Sequence, residues 1–299
     1  MRLSRLFFKR LIALFIVIVL AVALLATFVL PYAIIKPQRL HIDIDPAEVS
    51  VHYSPVSIPF NGSSVLRGYL FKPKEELPKA TLILVHGIGG SKAHFFSLAA
   101  NLTKDGYATI VMDNRAHGDS DGEFVTYGYK EKDDISLIVQ FLKEEYPNTK
   151  IGIWGKSMGG AIAMQAMAKD QNIDFGIIES TFTNLEQIVY DYQKRFSGGI
   201  GVRFLTDYVL DRAGQIADFD PEKVSPENAA KLVKKPVFIA HGDQDKRISY
   251  NYGVQLFENL ASKDKTFELV KGAGHINVDR VGGQAYYNKV LSFISRQIE

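Results

Sequence analysis

Hydrophobic and polar positions divide the chain into two unlike parts. Residues 11–35 run without a charged side chain, whereas from residue 49 onward short apolar runs alternate with amphipathic stretches. As a helix at ~1.5 Å per residue, the first run would be about 37 Å long, enough to cross roughly 30 Å of bilayer hydrocarbon. A helix also satisfies its own backbone polar groups, which a bilayer demands. The pattern therefore predicts a basic N-terminus over 1–10, a transmembrane anchor over 11–35, a polar tether over 36–48 and a folded domain over 49–299.

Within the domain, strands are expected at Val49–Pro59, Ser64–Phe71, Thr81–Val85, Ala108–Asp113, Lys150–Trp154, Phe175–Glu179, Pro236–Ala240 and Lys265–Val270. Several are short, rich in Val, Ile and Leu, and nearly free of polar residues, as parallel strands covered on both faces are. Helical patterns lie between them at Ser91–Lys104, Lys130–Glu145, Met158–Lys169, Tyr250–Leu260 and Ala285–Ile298. In the second of these Ile135, Ile138, Val139 and Leu142 make one apolar stripe. This alternation predicts an α/β domain, a mostly parallel eight-stranded sheet with helices on both faces. Asn61-Gly62 is a hairpin signal, so the sheet should begin antiparallel. Residues 181–235 break the rhythm with a helical piece at Asn184–Arg195, a glycine-rich bend at Ser197–Gly201 and a second helical piece at Phe204–Arg212. An excursion of that length between two strands reads as a cap-like insertion.

Charge sets the orientation of the apolar run. Arg2, Arg5, Lys9 and Arg10 precede it and only Lys36 and Arg39 follow closely, so the N-terminus is expected in the cytoplasm and the domain on the extracytoplasmic side. Ala21-Val22-Ala23 has the small-x-small form of a signal-peptide cleavage site, but cleavage there would leave an apolar new N-terminus, and an uncleaved anchor is the expectation. The net charge of +2, with no recurring basic stripe, gives no reason to expect a nucleic-acid partner. The chain has no cysteine, which excludes disulfides and thiolate chemistry. It has no H-E-x-x-H zinc motif and no nucleotide loop with the G-x-G-x-x-G or Walker spacing, so no cofactor or metal is expected.

One motif carries chemistry. Gly155-Lys156-Ser157-Met158-Gly159 follows an expected strand and opens an expected helix, the context of a nucleophile elbow, in which a strained turn lifts a serine hydroxyl above the sheet. A serine nucleophile needs a base and the base an orienting acid. His275 lies in Gly272-Ala273-Gly274-His275, between the last strand and the last helix, where α/β sheets gather their sites. Asp245, in His241-Gly242-Asp243-Gln244-Asp245, is taken as the acid, with Asp243 a competitor on the same loop and His241 structural. The order Ser157, Asp245, His275 is the Ser–Asp–His order of a nucleophile-elbow enzyme. An oxyanion is expected to meet the backbone N–H groups of Met158 and of Ile88, the latter in the loop His86-Gly87-Ile88-Gly89-Gly90. Lys156 is expected to be a solvated side chain, the alternative being contact with an anionic group of the substrate.

The set LVHGIGGSKAHF, DNRAHGDSDG, GKSMGG, HGDQD and GAGH resembles the α/β-hydrolase superfamily over roughly residues 50–299. More narrowly it resembles the lysophospholipase, monoacylglycerol-lipase and serine-aminopeptidase-like branch, and with its anchor the membrane-anchored Bem46-type members. The resemblance implies an α/β-hydrolase fold with a small cap, and supports Asp245 over Asp243, because the family's acid stands four residues after the histidine of HGxxD. It also implies that Asp113, Arg115, His117 and Gly118 brace the loops around the site. The function expected is hydrolysis of a carboxylic ester, of a lipid or small acyl substrate, through an acyl-enzyme on Ser157. A peptidase on the same residues and a silent binding module are the alternatives.

Overall fold

The computed structural model describes residues 5–42, 44–49 and 51–299; Arg2 of the basic flank lies outside them. Helix α1 (Arg5–Phe28) contains most of the apolar run. The run is not one helix: it breaks at Val29 and resumes as α2 (Leu30–Ile35). Pro31 in its first turn supplies the reason, since proline cannot donate the next helical bond and its ring clashes with the carbonyl four residues back. The segment from Phe7 to Ile35 is long and apolar enough to cross a membrane.

All eight strands form, as β1 (His52–Phe60), β2 (Ser64–Lys72), β3 (Thr81–Val85), β4 (Ala108–Met112), β5 (Ile151–Lys156), β6 (Phe175–Glu179), β7 (Val237–Gly242) and β8 (Lys265–Val270). They make one sheet in the order β1-β2-β4-β3-β5-β6-β7-β8. The first three in that order pair antiparallel, and every later pairing is parallel. The β1–β2 turn holds both Asn61 and Gly62 at positive φ, as its sequence predicts. The first strand starts at His52 rather than Val49, because Pro46–Val49 takes a 3₁₀ turn started by Asp45, whose carboxylate accepts the Ala47 N–H at 2.8 Å.

The apolar strand runs split by alternation between two cores. Ile83, Val85, Ile153 and Ile239 face one side, beneath α4 (Glu131–Glu145), α5 (Met158–Lys169) and α9 (Tyr250–Asn259). Leu82, Leu84, Trp154 and Phe238 face the other, beneath α3 (Phe96–Lys104) and α10 (Val278–Ile298). Helix α10 begins seven residues before the expected Ala285 and is kinked at Gly283 (φ 54°), where adjacent glycines weaken the helical signal. After β6 come α6 (Leu185–Phe196), α7 (Arg203–Ala217) and the short α8 (Pro226–Ala230), the last unforeseen in the sequence.

The stretch read as a tether lies against the domain where it is described. Arg39 donates to the carbonyls of Gly118, Ser120 and Gly122, and Lys36 pairs with Glu123 at 3.2 Å. The loop it grips is braced from within. Buried Asp113 accepts the Lys92 and Asp119 amides and pairs with the Lys92 ammonium at 2.6 Å. A Cβ on Gly118 would stand 2.2 Å from that carboxylate, so only glycine fits. Arg115 makes a two-pronged bond to Asp134 at 2.6 and 2.7 Å, buried on both sides.

His86 and His117 join this loop to the one after β3. Their rings meet edge to face at 5.0 Å. Each donates from Nδ1 to a carbonyl, of Gly87 and Arg115, and each accepts a backbone amide at Nε2, from Asn114 and Gly89. Both rings must therefore be neutral. Burial first, and the neighbouring His117 second, push His86 down to about 3; burial likewise lowers His117. Below the ordinary value of 6.5 the unfolded chain takes up a proton at His86 that the folded chain refuses. Stability should fall as pH drops from 6.5 towards about 3, by up to about 1.4 kcal/mol per pH unit for this one group. Denaturant titrations of the full chain in detergent between pH 7.5 and 4 should give a steeper loss for the native sequence than for His86→Gln; parallel curves would refute the neutral assignment.

Candidate active site

The turn from β5 into α5 holds Ser157 at φ 56°, ψ −122°, a region that L side chains avoid. Its neighbours make the turn possible. A Cβ on Gly155 would stand 2.1 Å from the Gly159 carbonyl oxygen, and one on Gly159 2.0 Å from that of Val85. The two glycines thus let the helix start, the strand end and β3 close to contact distance. Ser157 N–H donates to the Glu179 carbonyl at 2.8 Å, anchoring the turn to β6.

Ser157, His275 and Asp245 come together from three distant parts of the chain. Ser157 Oγ lies 3.0 Å from His275 Nε2, and His275 Nδ1 lies 2.7 Å from Asp245 Oδ2. In the tautomer that fits both contacts, Nδ1–H donates to the carboxylate and Nε2 accepts the serine hydroxyl. Asp243, the competing acid, instead accepts the Gly272 amide at 2.6 Å and so ties the Asp245 loop to the His275 loop. His241 is fully buried, and its Nε2–H is shared between Asp245 Oδ2 at 3.2 Å and the Ile248 carbonyl at 3.0 Å. The other carboxylate oxygen of Asp245 accepts the Arg247 and Ile248 amides at 2.8 and 2.9 Å. Burial alone would raise the pKa of Asp245, but hydrogen bonds from His241 and His275, electrostatic attraction to His275 and the Ile248 amide outweigh it and hold the carboxyl well below its usual range.

Lys156 is not a free solvated side chain. It lies 2.9 Å from Asp279 and 3.4 Å from Glu179, and is only partly exposed. Glu179 is buried and also accepts Trp154 Nε1–H and the Tyr286 hydroxyl. Burial would lower the lysine, yet the two carboxylates more than compensate and hold it above its ordinary value. Since Asp279 follows His275 by four residues, Lys156 links the elbow to the loop that carries the histidine. The sequence showed a lysine beside the serine but not its partners, which lie 23 and 123 residues away.

Met158 opens α5, so its amide is one of those a helix leaves without an internal acceptor. In the loop after β3 the Gly89 amide donates to His117 and that of Gly90 to the Gly87 carbonyl, while Ile88 faces the cavity that Ser157 and Met158 also line. This cavity has a volume of about 660 Å³. Its walls come from Phe182, from Ile188 and Tyr192 of α6, from Leu205 and Val209 of α7, and from Leu30, Ala33 and Ile34 of α2. Among the described residues no charged side chain lines it. The contribution of α2 is not legible in the sequence, where residues 11–35 read as membrane span throughout; Pro31 is the one local sign that the helix is interrupted.

The family model for serine aminopeptidase S33 matches residues 76–216. An uncharacterized 31.7 kDa protein of Escherichia coli is 33% identical over 261 residues, covering 74% of this chain and 90% of its own. The protein Bem46 of Schizosaccharomyces pombe is 25% identical over 279 residues, 90% of this chain and 85% of its own. Among solved structures, an esterase of Pyrococcus furiosus superposes with a TM-score of 0.74 at 24% identity, over 89% of this chain and 99% of that one, a likeness of fold. The chain belongs to the α/β-hydrolase superfamily, in its Bem46-like branch.

Proposed function

We propose that the chain is a membrane-anchored serine ester hydrolase, with its N-terminus cytoplasmic and its domain on the far side of the membrane. The observation that carries this reading is the contact of Ser157 Oγ with His275 Nε2, itself bonded to Asp245, at the floor of an uncharged apolar cavity. Ser157 attacks the acyl carbonyl as His275 Nε2 takes its proton. Asp245 keeps the imidazole in the accepting tautomer and stabilises the imidazolium. The Met158 and Ile88 amides stabilise the oxyanion, His275 returns the proton to the leaving alcohol, and water then clears the acyl-enzyme by the same route.

The serine aminopeptidase family model favours a second reading, a peptidase on the same residues. A free amino terminus calls for a carboxylate in the substrate site, and no carboxylate lines this cavity among the described residues. The ester reading is therefore preferred. p-Nitrophenyl esters should be turned over and aminoacyl anilides should not; the reverse preference would replace the ester reading with the peptidase one.

Ser157→Ala should abolish labelling by a fluorophosphonate probe and lower kcat on order of 10⁴-fold or more, and Asp245→Asn should cost about 10⁴-fold. Near-native turnover in Ser157→Ala would remove the assignment. Because burying a methylene is worth ~0.8 kcal/mol, lengthening the acyl chain by two carbons should raise kcat/KM by up to about 15-fold until the cavity is full. Lys156→Met should lower kcat roughly tenfold with KM little changed, because the histidine loop loses its tie to the elbow while Ser157 remains. Lys156→Arg should restore most of the loss; equal damage by both would mean that the charge link does not position the histidine.

A further inference from the structure

The anchor does more than hold the domain near lipid. After the break at Val29 its last turn bonds to the domain. The Ile35 carbonyl accepts the Val125 amide at 2.9 Å, the Ile34 carbonyl accepts the Tyr127 hydroxyl at 2.7 Å, and Ile35 is fully buried. Tyr127 itself lines the cavity above Ser157, so the residue that clasps the anchor is also part of the site. About two turns earlier, Thr27 Oγ lies 2.8 Å from the Tyr208 hydroxyl on α7. This bond ties the end of α1 to α7, and the cavity is lined by α2, α6 and α7.

The rim of this cavity is apolar where it meets solvent. Phe196 and Ile200, both of which line it, are 82% and 69% exposed, and Phe204 is 77% exposed. Phe204 and Tyr208 share a face of α7 as an i, i+4 pair, and Tyr208 touches the base of α1. The exposed rim thus continues into the exposed apolar surface of α1. A soluble surface rarely carries so many large apolar side chains together, and a rim continuous with a membrane-crossing helix would lie in the same hydrocarbon.

We propose that α2 is a wall of the acyl site, with Leu30, Ala33 and Ile34 setting how the chain fits, and that the substrate is a membrane lipid whose acyl chain enters from the bilayer that α1 occupies. This rests on the ester-hydrolase reading. The carbonyl of such a chain would reach Ser157 at the floor while its tail stays between α2 and the α6–α7 bend, and it need never cross water.

The test uses the full chain in detergent micelles and reads the ratio of kcat/KM for p-nitrophenyl laurate to that for p-nitrophenyl acetate. Ala33→Trp should lower this ratio at least tenfold, and Leu30→Ala should raise KM for the laurate severalfold. Val17→Trp, on the exposed face of α1 away from the cavity, should leave the ratio within twofold of native. Binding of the fluorescent fatty acid cis-parinaric acid to Ser157→Ala, with and without Ala33→Trp, gives a readout independent of catalysis, and the second substitution should weaken it about tenfold. If native protein hydrolyses neither ester yet parinarate binding is weakened, the ester reading fails and the anchor's place in the site stands. If both esters are hydrolysed and neither Ala33→Trp nor Leu30→Ala changes the ratio or the binding, the inference about the anchor is overturned.

Discussion

A serine backbone held at positive φ, with three chain segments closed around it, is the constraint on which the rest of the site depends. Gly155 has no room for a side chain because the start of α5 lies against it, and Gly159 has none because the turn is pressed against the end of β3. That pressure brings the loop carrying Ile88 beside Ser157, and the turn's own hydrogen bond to Glu179 ties it to β6. A non-glycine residue in left-handed backbone costs on the order of 1–3 kcal/mol. The cost is met by the two fully buried cores on either side of the sheet, which leave the turn no alternative path.

Charge around this turn is arranged in two layers. Nearest the serine, Asp245 is saturated with donors: two backbone amides, His241 and His275. A buried carboxylate so surrounded stays ionised and fixed. Behind the turn, Glu179 and Asp279 share Lys156, which joins the ends of β5 and β6 to the start of α10. The neutral pair His86–His117 does the same work without charge for the loops on the other side, where an ion would have had to be buried unpaired.

The apolar N-terminal run has a mixed character that follows from one proline. Up to Leu25 it is uniform and exposed; from Ala26, which is buried, it begins to pack on the domain, and Pro31 and Ile35 of α2 are buried there. Arg39 and Lys36, the positive charges after the run, are taken up by carbonyls and Glu123 of the domain. The end of the run is thereby joined to the loop at residues 118–123 by hydrogen bonds and an ion pair.

The order of elements, the eight strands and the elbow were legible from local signals: apolar runs of strand length, helical stripes, and glycines two residues either side of Ser157. Each depends only on near neighbours in the chain, and so is written in periodicity and turn chemistry. The choice between Asp245 and Asp243 was open on spacing alone, because two carboxylates two residues apart on one loop differ only in where the loop folds. The partners of Lys156, the support of Asp245 by His241 and the presence of Leu30, Ala33 and Ile34 in the cavity were decided by tertiary structure alone. They join residues from separate elements, and no local pattern records which strand ends and helix faces packing will bring together. The apolar run shows the division most sharply: its length and lack of charge specified a helix suited to a bilayer, but only packing in the tertiary structure decided that its last turn would line the same cavity as the serine.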